Sequence, residues 1–166
     1  LVGFRTVDLT HDDNPALEMI DEACSDMASR MFIRIREELG LAYSVGASRI
    51  QGIEPGCLLF YVSTAPEKLD LVQSNLLDEI YKIASNGLEP EEFERARASW
   101  LGREAIHLQG ARELANVATI DELIGLGWDN YRKSPDQMKA LTLEETQEVA
   151  ARYIREDNQV IVRLTQ

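Results

Sequence analysis

Residues 35–43 read IREELGLAY. A run of helix-forming residues stops at Gly40 and gives way at once to strand-like alternation, with Tyr43, Val45 and Ala47 on one face of AYSVGASRI (42–50). The chain therefore switches from helix to strand within a few residues. Arg36 lies just before the switch and Tyr43 just after it, seven positions apart. Upstream, Met31, Phe32 and Ile35 continue an apolar helical face, which a break near CSDMAS (24–29) separates from an earlier helix. That helix starts at Asn14 and Pro15, where proline loses no needed donor, and carries Leu17, Ile20, Ala23 and Met27 at helical spacing.

Farther out, LVGFRTVDL (1–9) has the density of β-branched and aromatic residues of a strand and ends in the polar THDDN. Downstream of the switch, QGIEPG (51–56) joins its strand to the apolar CLLFYVST (57–64) as a hairpin. Pro66 opens the next helix, striped by Leu69, Val72, Leu76, Ile80 and Ile83, and Gly87 reads as its left-handed terminator. Another helix starts at Pro90 with Phe93, Ala96, Trp100 and Leu101 on its buried side, and further helix follows over 112–126 and 129–139. Thr142 and Glu145 stand at capping-box spacing for the last helix, and QVIVRLT (159–165) closes the chain as a strand. Strand, helix, two strands, several helices and a strand make an α+β plan: helices on one face of a mostly antiparallel sheet, to which the first and last strands both belong.

A length of 166 residues suits one domain, 1–166, and an apolar content of 45% argues against disorder. The net charge of −12, without a basic cluster, disfavours nucleic acid and anionic membrane as partners. No stretch has the length of a membrane span, and no basic-then-apolar segment suggests a signal peptide, so a cytoplasmic setting is the expectation. Leu1 stands inside an expected strand with no initiator Met, the pattern of a domain excised from a longer chain. Cys24 and Cys57 lack C-x-x-C spacing; reduced core thiols are the plain reading, with a disulfide left open.

The chemistry is defined first by what is missing. His11 and His107 are the only histidines, and neither belongs to an H-E-x-x-H or H-x-x-E-H pattern, so a self-contained zinc site is not expected. There is no G-x-S-x-G, no P-loop and no G-x-G-x-x-G. The chain alone is expected to be inactive and to hold no cofactor. Arg36 offers a permanently charged fork of donors and Tyr43 a phenolic donor, a pair suited to a peptide carbonyl or carboxylate. The plain alternative is that Arg36 pairs with Glu37, Glu38 or another surface acid and Tyr43 packs on the sheet.

The stretch MASRMFIRIREELGLAYSVGAS (27–48) resembles the signature of the C-terminal half-domains of the pitrilysin and insulinase family of zinc metallopeptidases, which includes the mitochondrial processing peptidases. In that family a Ser-Arg-Leu-Phe-like run leads to an Arg-Glu helix end, Gly-Leu, a small residue and Tyr. FYVSTAPEKLDLVQSNLLDEIYKIASNGLEPEEFERAR (60–97) resembles the next section of the family, and the likeness extends over most of residues 1–126. It implies the α+β fold of a peptidase half-domain, with Arg36 and Tyr43 binding the substrate backbone and stabilising the transition state. It also implies an N-terminal zinc-bearing half-domain as partner, zinc as the cofactor of that partner, and peptides or small proteins as substrates. This sequence departs from the family at CSDMAS, where a glycine-rich turn is usual. A catalytically silent structural or assembly subunit of the same fold is therefore the alternative, and an unrelated α+β binding module a third.

Overall fold

The computed structural model describes residues 1–165; Gln166, the last residue of the expected domain span, lies outside the described residues. Strands β1 (Val2–Arg5), β2 (Ser44–Ile50), β3 (Cys57–Ser63) and β4 (Gln159–Ile161) form one sheet in the order β2-β3-β1-β4, with every neighbouring pair antiparallel. The first and last strands pair at the centre and edge of this sheet, as the α+β plan requires. Helices α1 (Asn14–Ser25), α2 (Leu69–Asn86), α3 (Pro90–His107), α4 (Ala111–Leu123), α5 (Asn130–Ala140) and α6 (Leu143–Tyr153) complete the chain with a π-helical segment, Phe32–Glu38.

Strand alternation sends Val2, Phe4, Leu58, Phe60, Val45 and Ala47 to the helix-covered face, where all are buried. The rings of Phe4 and Phe60 meet edge to face with centroids 6.1 Å apart. Met19 and Ile20 of α1 and Val72, Leu76, Ile80 and Ile83 of α2 join the same core. On the opposite face Tyr61 lies over Gly46, its cross-strand partner, and Ile50 and Val160 are exposed. Helices thus cover one face and leave the other open.

Both terminal strands are shorter than expected. The spans 1–9 and 159–165 shrink to Val2–Arg5 and Gln159–Ile161, although Leu1 and Val162 still exchange two backbone hydrogen bonds of 3.0 and 2.9 Å. Past Arg5 the chain is drawn out of the sheet by Asp8, whose carboxylate accepts both the N–H and the hydroxyl of Thr10 and makes a local turn. At the other end β1 supplies backbone partners to β4 only as far as Leu1.

The helix boundaries follow the sequence cues closely. Thr142 accepts the N–H of Glu145 while the Glu145 carboxylate accepts that of Thr142, closing the expected capping box. Gly87 ends α2 with a positive φ of 78°, but its ψ of −169° is extended and differs from the left-handed helical turn expected. The run before Gly40 is also not an ordinary α-helix: it is π-helical, with the Leu39 N–H reaching back five residues to the Arg34 carbonyl. Among the described residues no helix is long and apolar enough to cross a membrane.

Candidate functional site

The break at CSDMAS is built without any left-handed residue. Asp26 takes an extended conformation, its carboxylate accepts the Ala28 N–H at 3.0 Å, and the same side chain pairs with Arg95 of α3 at 3.2 Å. An Asx turn therefore does here what a glycine would otherwise permit, and among the described residues no non-glycine residue has a positive φ. Ser29, fully buried, then caps the following segment by accepting the Phe32 N–H at 3.2 Å.

Arg30 fixes the direction of that segment. Its guanidinium forks onto both carboxylate oxygens of Glu92 and also reaches the Gly87 carbonyl, tying the segment to the start of α3. Burial alone would raise the Glu92 pKa, but the hydrogen bonds from Arg30 and the Glu89 N–H, with the Arg30 charge, hold it below its ordinary range. Met31 and Ile35 are fully buried, so the segment is seated on the core with Arg36 on its outer side.

The turn into β2 is held at several points. Gly40 has a φ of 58°, which strains residues carrying a Cβ, and the Gly40 N–H returns to the Arg36 carbonyl. The Leu41 N–H returns to the buried Ile35, its carbonyl accepts the Thr64 hydroxyl at 2.6 Å, and the Gly40 carbonyl accepts the Lys68 ammonium at 3.1 Å. The Tyr43 N–H donates to the Ser63 carbonyl at 2.8 Å. This rigid frame leaves the Tyr43 side chain 83% exposed at the head of an edge strand.

Arg36 is exposed as well. Its guanidinium stands over the Phe32 ring at 4.7 Å, and its nearest acid, Glu37, is 3.9 Å away, beyond hydrogen-bond range. The Glu38 carboxylate is engaged by Arg34 instead. The plain alternative holds for one residue and not the other: Arg36 does form an exposed ion pair with Glu37, whereas Tyr43 stands free of the sheet, 83% exposed. A cavity of about 510 Å³ is walled by His11, Glu18, Trp100 and Met138, and neither Arg36 nor Tyr43 lines it. Sequence reasoning missed Phe32, Thr64 and Lys68; only Phe32, four residues before Arg36, carried a local signal.

The residues do not fit a zinc ion. The Nδ1 atom of His11 already accepts the Asp13 N–H at 3.1 Å, and His107 is exposed at the end of α3. Among the described residues no three His, Cys, Asp or Glu side chains converge. Cys24 and Cys57 are free thiols, and burial pushes the pKa of Cys24 upward.

The family described as peptidase M16 inactive domain matches residues 1–99, which include Arg36 and Tyr43, and the chain belongs to that family. A Rickettsia bellii protein described as an uncharacterized zinc protease is 37% identical over 119 residues, covering 70% of this chain and 27% of its own length. Among solved structures, the inactive peptidase domain of a putative zinc protease from Bordetella parapertussis superposes with a TM-score of 0.85 at 18% identity, covering 96% of this chain and 87% of that one. A protease from Helicobacter pylori gives a TM-score of 0.84 at 15% identity, covering 95% and 38% of the two chains. These structures share the fold. The chain spans between 17% and 38% of the length of the curated relatives it matches.

Proposed function

We propose that this chain is the substrate-binding, non-metal half of a two-half zinc metallopeptidase acting on peptides or small proteins. Its partner is an N-terminal half-domain that bears the zinc. One observation carries the reading: Tyr43 is 83% exposed although its backbone is fixed by Ser63 and by the Thr64 grip on Leu41. Exposing a large aromatic side chain on a rigid turn gives the fold nothing, whereas a donor held on a rigid element is what an oxyanion or a peptide carbonyl requires. Arg36 supports the reading, because its fork has no carboxylate within hydrogen-bond distance. Supplied opposite the metal-bearing half, these two donors would bind the substrate backbone and stabilise the charge that develops on the scissile carbonyl oxygen.

The test is steady-state kinetics on the full-length protein, or on the two halves together, with Tyr43→Phe. A fall in kcat of about 10²-fold with a smaller change in KM is expected for the loss of one transition-state donor. Wild-type kcat in this variant would return Tyr43 to the plain reading of a surface tyrosine, and no turnover in the parent protein would favour the alternative, a catalytically silent structural subunit.

A further inference from the structure

The contact between Arg36 and Phe32 has no structural necessity. Arg36 makes only a long, exposed ion pair with Glu37, at 3.9 Å, and its guanidinium lies 4.7 Å from the Phe32 ring centroid. Phe32 itself is firmly placed. Its side chain packs partly against the main core, and its N–H is capped by the buried Ser29. The two residues are one turn apart on the π-helical segment, so a fixed ring presents its face to a mobile cation.

We infer that Phe32 is a positioning residue for Arg36, a flat shelf that orients the guanidinium fork toward the backbone of a bound peptide. The inference rests on the proposed role of Arg36. The ring acts in two ways. Its negative face attracts the cation without occupying any N–H donor, leaving the whole fork available for a carbonyl or carboxylate. Its planarity restricts the guanidinium to stacked orientations, so fewer arrangements are lost when substrate binds. A carboxylate in the same place would hold Arg36 more strongly but would consume the donors; Glu37 stands 3.9 Å off, beyond hydrogen-bond range, and Glu38 is engaged by Arg34.

The experiment uses the full-length protein with its zinc-bearing half and compares Phe32→Leu, Phe32→Tyr, Arg36→Lys and the double variant Phe32→Leu/Arg36→Lys. Phe32→Leu is expected to lower kcat about tenfold, and Phe32→Tyr, which keeps the ring face, to restore it. The double variant should be no slower than Arg36→Lys alone, because the ring then has no fork to orient. Pentafluorophenylalanine at position 32 keeps the shape and reverses the charge of the ring face, so it should behave like leucine even where Phe32→Leu melts early. Losses that multiply in the double variant, or wild-type kcat with the fluorinated ring, would overturn the inference while leaving Arg36 in its role. Wild-type kcat in Arg36→Lys would remove the role of Arg36 itself, and the inference with it.

Discussion

The hydroxyl of Thr64 donates to the carbonyl of Leu41 across 2.6 Å, so a residue just past β3 grips the turn that separates Arg36 from Tyr43. Replacing Thr64 by Val keeps the shape and removes the donor. Leu41 is buried, and its carbonyl would lose this partner at a cost of about 1–2 kcal/mol. Thr64→Ser should retain most of the stability. Urea denaturation of the two variants checks this, and an equal loss in both would assign the effect to the threonine methyl instead.

Arg36→Lys should leave the fold intact, because the Arg36 side chain is 41% exposed and its ion pair with Glu37 is long and solvent-exposed. Its thermal midpoint is expected within the range of ordinary surface substitutions, about ±0.5 kcal/mol. Activity of the complete protein should nevertheless fall, since a point charge cannot reproduce a planar fork. Melting curves measured beside steady-state kinetics separate the two effects.

Arg30 and Glu92 form a largely buried pair, with side chains 17% and 13% exposed. Arg30→Met strands the Glu92 carboxylate and should cost about 3 kcal/mol. The pair also carries a pH signature. The Glu92 pKa is held below its ordinary 4.5, so its contribution is fully present above that pH and is lost as pH falls through the lower folded value. Stability measured from pH 6 down to 2 should decline more steeply in the parent protein than in an Arg30→Met/Glu92→Gln variant.

Asp21 behaves in the opposite sense. Burial, together with Glu18 and Glu22 nearby, pushes its carboxyl up to about 6 from an ordinary 3.8, against the Ser25 hydroxyl and Arg49. The penalty of charging it in the fold is absent below pH 3.8, grows between 3.8 and 6, and is complete above. Asp21→Asn, which can still accept from Ser25, should therefore stabilise the protein at pH 8 by on the order of 1–3 kcal/mol and change nothing at pH 3. Denaturation at those two pH values decides it.

Local signals were legible wherever they were self-contained. Asn14–Pro15, Pro90 and the Thr142–Glu145 box marked helix starts that the fold keeps, because a proline in the first turn or a capping box acts within a few residues of itself. The helix-to-strand switch at Gly40 was readable for the same reason. The π-helical turn was not: Phe32–Glu38 contains ordinary helix-forming residues, and nothing local distinguishes a bond to the fifth residue back from one to the fourth. The lengths of the terminal strands were also hidden, since a strand extends only as far as its partner, and the partners here are at opposite ends of the chain.

The candidate site divides in the same way. The amino-acid sequence by itself determined which donors stand near the switch, that they lie on either side of a glycine, and that the chain has no histidine cluster to hold a metal. Only the tertiary structure decided that Tyr43 heads an exposed edge strand and that Thr64 and Lys68 close on the turn from the other side of the hairpin. The physical reason is separation: capping and turn conformation depend on neighbours along the chain, whereas exposure and grip depend on residues that folding alone brings within hydrogen-bond reach.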